Sequence, residues 1–238
     1  MNLLGLILVA VSPSVLAFGY IYLKEKQRYD EAGKLLKMFL LGFVITIPAM
    51  GLGFLLSTIQ SFFELANLPA HLFKAFLVVS FSEELFKLLI VVFFVYKWIS
   101  PKSLLDGIFY TITVSLGFAG MENVFYALAG GYSVAVFRIF TALPLHIISA
   151  GIMGYYFGKA KQATGKTEET KLIYKGFGYA ILIHGVYDFL LFAGPDVRMM
   201  ASFGVFALLV FVFVILMNKI RLATVKDLKL KKATLPLK

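Results

Sequence analysis

The chain has 238 residues, 60% of them apolar and 15% charged, with a mean hydropathy of +0.88 and a formal net charge of +10. That balance excludes an ordinary water-soluble domain of this length, and the lack of cysteine excludes disulfides, thiolate metal sites and a cysteine nucleophile. The basic residues sit in short segments beside apolar runs and no nucleic-acid motif accompanies them, so membrane topology accounts for the charge and no nucleic-acid partner is expected.

Roughly 20 apolar residues cross about 30 Å of hydrocarbon, and the backbone there must satisfy its own hydrogen bonds, which calls for helices. Seven spans are predicted, over residues 2–22, 37–57, 71–95, 105–128, 134–158, 174–194 and 198–218. The fold class is therefore an all-α integral membrane protein, a bundle of about seven transmembrane helices. The first run is kept as a span because its amino end is poor in positive charge and it lacks a small-residue cleavage site.

Lys24, Lys26, Arg28, Lys34 and Lys37 follow the first span, Lys97 and Lys102 the third, and Lys159, Lys161, Lys166, Lys171 and Lys175 the fifth. Lys219, Arg221, Lys226, Lys229, Lys231, Lys232 and Lys238 follow the last, while the even-numbered connections add little beyond Arg198. The positive-inside rule then puts the amino terminus outside and the carboxyl terminus in the cytoplasm of a multi-pass cell-membrane protein. Residues 1–218 read as one membrane domain and 219–238 as a basic cytoplasmic tail. A stop-transfer flank explains that tail more simply than binding to anionic lipid of the bilayer.

Ionisable groups are costly at membrane depth, so spans that keep them bury them in a bundle or beside a wet cavity. Span three carries Ser80, Glu83, Glu84 and Lys87; span four Glu122 and Asn123; span five Arg138 and His146; span six His184 and Asp188. Glu83 and Lys87, Glu122 and Tyr126, and His184 and Asp188 are each four apart and share a helix face. Ala119, Ser115 and Thr111 extend the face of span four. Ala150, Gly154 and Gly158 extend that of span five, where small residues favour close packing. Glu83, Glu84, His146 and His184 fall near the midplane, and Glu122 and Asp188 nearer the outside, so the four spans are expected to converge on one cavity. Lys87 and Arg138 suit structural ion pairs. His71, near a surface, is incidental.

Peptide hydrolysis needs a water, a base and donors for the oxyanion. Glu83 or Glu84 can be the base, His146 and His184 the donors, with Asp188 orienting His184; no cofactor is then required. Glu84, Glu122, His146 and His184 are also candidate zinc ligands, since three such groups and a water make a catalytic zinc site. Neither His-Glu-x-x-His nor Gly-x-Ser-x-Gly is present, and Leu105-Asp106-Gly107 is only a faint likeness to the second site-2-protease motif.

Phe81-Ser82-Glu83-Glu84-Leu85-Phe86-Lys87, Ser115 to Asn123, His146 with Gly151-Ile152-Met153-Gly154, and His184-Gly185-Val186-Tyr187-Asp188-Phe189 resemble successive motifs of the PrsW family, in order and spacing. The likeness runs from about Ser12 to Leu191. It implies an intramembrane protease within the wider group of CAAX prenyl proteases and bacteriocin-processing relatives. The resemblance further implies a single-pass, anti-sigma-factor-like membrane substrate cut at the extracytoplasmic side to start a signalling cascade. Glu122 stands where the CAAX relatives have histidine or arginine, so their catalytic assignments do not transfer wholesale.

Two rivals remain at the level of sequence. Midplane carboxylates also mark proton- or ion-coupled transporters, with Pro48 and Pro144 as possible helix breaks. A non-catalytic peptide-binding relative would keep the same residues. The oligomeric state is not legible.

Overall fold

The computed structural model describes residues 2–25, 32–63, 65, 67–100, 102–192 and 198–233. Lys26, Arg28 and Lys238 lie outside the described residues. Helices α1 (Leu3–Glu25) and α2 (Ala32–Ser61) come first. A continuous helical rod follows, built from α3 (Asn67–Phe73), a π-helical stretch (Lys74–Phe81), α4 (Ser82–Ile90), a second π-helical stretch (Val91–Val95) and a closing 3₁₀ turn (Tyr96–Trp98). Then come α5 (Leu104–Phe140), α6 (Ala142–Ala160), α7 (Lys166–Leu191) and α8 (Arg198–Ala233). Among the described residues there are seven helical rods and no strand, as expected of an all-α membrane bundle.

Among the described residues, four helical stretches are long and apolar enough to cross a membrane by length and composition: Leu3–Leu23, Gly33–Ser61, Leu104–Phe140 and Met199–Leu230. The α3–α4 rod is divided by its π-helical stretches, and α7 carries charged residues at its start and again at Asp188. Burial ranks the four. The apolar stretch of α5 is 89% buried against 17% for that of α1, so α5 is the central post and α1 lies at the lipid boundary, with Leu16 and Tyr20 exposed.

Two seams set the spacing around α5. A Cβ at Gly42 of α2 would strike the carbonyl of Val114, and one at Gly117 of α5 would strike the carbonyl of Phe39. On the other side Gly154 and Gly107 oppose each other's carbonyls, and Gly158 sits against the backbone of Leu104. The helices therefore touch main chain to main chain, the close approach that small residues permit in membranes.

The boundary between spans four and five differs from the prediction. Gly131 has φ 74° and ψ −165°, a conformation natural only to glycine, and interrupts α5 between residues 130 and 132. In a straight helix residues 122 and 138 would be about 24 Å apart, yet the Arg138 guanidinium lies 2.8 Å from the Glu122 carboxylate. The segment 132–140 thus folds back along α5, and the next span begins after Thr141 (φ −122°, ψ −65°) rather than at residue 134. Pro144 falls in the first turn of α6, where it removes no helical hydrogen bond, so the break precedes it.

Lys34, Lys37 and Lys97 gather around the Trp98 ring at 5.5–6.0 Å from its centroid, and Lys161 lies 3.9 Å from that of Tyr96. The Tyr96 hydroxyl donates to Glu169 (2.8 Å) and Lys226 donates to Gln162. The basic connections after spans one, three and five therefore meet the end of α8 at one end of the bundle.

The tail is helical to Ala233, continuous with the last span. Its Asp227 caps α5, accepting from the Ser103 hydroxyl (2.8 Å) and from the amides of Leu104 (2.9 Å) and Leu105 (3.2 Å). These amides have no partner within their own helix. Asp227→Ala is expected to lower stability by about 1 kcal/mol, within the range of a lost N-cap. An unchanged unfolding midpoint in detergent would contradict this role.

Candidate active site

The rod presents Glu83, Glu84 and Lys87 on the short α-helical stretch between its two π-helical segments, the kind of local widening often found at functional sites. Opposite stand Glu122 and Asn123 of α5, Arg138 of its folded-back end, His146 of α6, and His184 and Asp188 of α7. All nine are buried. The convergence expected from depth and helical spacing is therefore present in space.

Lys87 is the hub. Its ammonium donates to Glu84 Oε1 at 2.9 Å, lies 3.5 Å from Glu83 Oε2 and stands 3.0 Å from His146 Nδ1. An ammonium only donates, so His146 Nδ1 accepts and the ring proton sits on Nε2, which donates to Glu122 Oε2 at 2.7 Å. Glu122 is held in turn by Arg138 at 2.8 Å, and the Arg138 Nε donates to Asn123 Oδ1 at 2.8 Å.

His184 is held from its other side. Its Nδ1 donates to Glu84 Oε1 at 2.8 Å, leaving Nε2 facing Asp188 Oδ2 (3.3 Å) and Glu83 Oε2 (3.8 Å). The two imidazole rings meet edge to face, 5.3 Å between centroids. Hydroxyl groups brace the frame: Ser115 donates to the His146 carbonyl (3.0 Å) and Ser80 to that of Ile181 (2.8 Å).

The two adjacent glutamates have different surroundings. Glu84 is fully enclosed, and its Oε1 receives both the ammonium and an imidazole. Glu83 lines a cavity of about 320 Å³ between α2, the rod and α5, together with Ser82, Glu122 and Tyr126. Its Oε2 accepts no hydrogen bond from the protein.

One group of side chains could hold a metal, which on His146 would replace the contact with Lys87 at Nδ1 or with Glu122 at Nε2. Glu83, His146 and His184 are buried and offer one ligand atom each, all within 4.8 Å of one another. Two imidazoles and a carboxylate are a known catalytic zinc set. The carboxylate that joins the histidines is Glu83, whereas the sequence singled out Glu84 and Glu122. Those two are engaged by Lys87 and His184 and by Arg138 and His146.

Two aromatic rings cover the cations of the site: Tyr126, which the sequence paired with Glu122, and Phe118, which it did not assign to the site. The Lys87 ammonium lies 4.3 Å from the Phe118 ring centroid, and the Arg138 guanidinium 3.9 Å from that of Tyr126. Both rings lie four residues from Glu122, and that spacing was the available signal. His71 is exposed on α3, outside the cluster. Asp106 belongs to a turn, accepting from the Ser100 amide (3.1 Å), and takes no part in the site.

A description of PrsW family intramembrane metalloproteases matches residues 31–217. Protease PrsW of Geobacillus kaustophilus is 36% identical over 189 residues, covering 79% of this chain and 80% of that protein. Protease PrsW of Bacillus subtilis is 32% identical over 190 residues (79% and 84%), and that of Clostridioides difficile 30% over 225 residues (92% and 89%). No solved structure matches the chain. With a helical membrane bundle around a buried carboxylate and imidazole cluster, and a match over most of its length, the chain belongs to the PrsW family and is a multi-pass intramembrane protease.

Proposed function

We propose that this protease cleaves a single-pass membrane protein of the anti-sigma-factor type near the extracytoplasmic side, with Glu83 as the group that activates water. The observation that carries this reading is the Glu83 carboxylate, which faces a cavity beside two histidines while its neighbour Glu84 is tied to Lys87 and His184. A base has to be free to take a proton and within reach of the water that gives it up. Glu84 holds Lys87 and His184 in place, and Asp188 aligns the His184 Nε2 edge. That edge donates to the developing oxyanion or protonates the leaving amine. Glu122, held by Arg138, takes the His146 ring proton and so fixes the orientation and tautomer of that imidazole beside the cavity.

Zinc bound by Glu83, His146 and His184 would supply Lewis-acid polarisation of the water or of the scissile carbonyl. In that case Glu83 serves as a ligand. The basic end of the bundle would face the cytoplasm, with residues 1–218 as the membrane-embedded protease unit and 219–238 as its basic cytoplasmic extension.

The test is cleavage of a single-span substrate by purified protein in detergent, with wild type, Glu83→Gln, Glu84→Gln, His146→Ala and His184→Ala compared with and without chelator. Activity lost with chelator and restored by zinc assigns Glu83 as a ligand; activity indifferent to chelator assigns it as the base. Cleavage that persists in all four variants would refute the site. Ion flux without proteolysis would point to the transporter reading.

A further inference from the structure

A second cavity, of about 440 Å³, lies between α6, α7 and α8, on a face of the bundle that the catalytic cluster does not use. On α8 its wall runs from Leu208 to Lys219, eleven residue steps or about 16 Å of helix. This is close to one leaflet's share, about 15 Å, of a 30 Å hydrocarbon layer. Among the described residues the wall is apolar along this length, with Lys219 as its one charged residue.

The polar groups are confined to one end. Tyr156 stands near the last turn of α6, Tyr179 is the lining residue nearest the start of α7, and Lys219 closes the strip on α8. The two tyrosine rings stack at 5.4 Å. The Lys219 ammonium lies 4.8 Å from the Tyr155 ring centroid and that of Lys175 lies 5.7 Å from the Tyr156 ring centroid. A second ammonium therefore stands beside Tyr156, at the end of the bundle where the other basic connections gather. Tyrosine and lysine at the end of an apolar strip are the signature of the headgroup level.

We propose that this groove is a binding site for one anionic phospholipid of the leaflet at the basic end, its acyl chain lying along Leu208, Val212 and Ile215 and its phosphate meeting Lys219 and Lys175. One ammonium in the lining and a second beside Tyr156, with no acidic residue in the lining, select for negative charge, and the depth of one leaflet suits an acyl chain. A transmembrane substrate helix is disfavoured because it would span both leaflets.

The full chain in detergent, titrated with phosphatidylglycerol or phosphatidylcholine of identical acyl chains and read by native mass spectrometry, tests this. Wild type is expected to retain phosphatidylglycerol preferentially. Lys219→Ala is expected to weaken that retention about fivefold, the contribution of one basic residue near an anionic surface, and to leave phosphatidylcholine unchanged. Lys219→Arg should keep the preference, and Ile215→Trp, which fills the groove, should lose both lipids. Equal retention of the two lipids by wild type, or no effect of Lys219→Ala, overturns the site. So does a photo-crosslinker at Phe211 that captures a substrate helix in place of lipid.

Discussion

Glu83→Gln is expected to lower cleavage of a membrane-anchored substrate by about 10²- to 10⁴-fold, the usual worth of a positioned general base. The amide keeps the shape of the side chain and removes its basicity. Because Glu83 Oε2 accepts no hydrogen bond from the protein and Glu83 lines the cavity beside α2, the change disturbs few contacts. Glu84→Gln acts differently. It weakens the acceptor shared by Lys87 Nζ and His184 Nδ1, so both donors are less firmly held. Its expected loss is smaller and falls on kcat more than on KM. Turnover of both variants on one substrate checks the division of roles: a Glu83→Gln enzyme within tenfold of wild type, beside an inactive Glu84→Gln, would exchange them.

Lys87→Met is expected to cost about 3–5 kcal/mol of stability, as happens when one member of a buried ion pair is removed and its partner is left charged. Lys87 is 1% exposed, and its ammonium serves Glu84, Glu83 and His146 together. Without it two carboxylates face each other with less compensation, and His146 loses the donor that fixes its tautomer. The double variant Lys87→Met with Glu84→Gln should recover much of that loss, since a neutral amide no longer needs a cation. Unfolding midpoints of the three proteins in mixed detergent decide it. Equal midpoints for the single and double variants would mean that Lys87 contributes through its aliphatic stem and its contact with Phe118, with little from its charge.

Much of the site was legible because membrane depth makes polar side chains conspicuous. Glu83, Glu84, His146 and His184 stood out against apolar neighbours, and four-residue spacing correctly paired His184 with Asp188. Spacing alone did not separate Glu83 from Glu84. Adjacent residues differ by about 100° around a helix, and the π-helical stretches on either side shift the phase of the rod relative to an ideal α-helix. The fold-back at Gly131 was hidden for another reason: residues 132–140 are apolar enough to pass for the start of a span. Only the backbone conformation of one glycine shows that Arg138 returns to Glu122. Asp227, within the stretch 219–238, carried no signal of its role, because a cap supplied by a residue more than a hundred positions away leaves no local pattern.

The seams along α5 bear on genetic repair. At Gly42, Gly117, Gly107 and Gly154 the opposing atoms are backbone atoms, which every amino acid possesses. Trimming a neighbour's side chain therefore makes no room, and damage at these positions has no one-step suppressor across the contact. Gly185 is different, since it abuts the ring of Phe76. There a smaller residue at position 76 restores the space that an added methyl group takes.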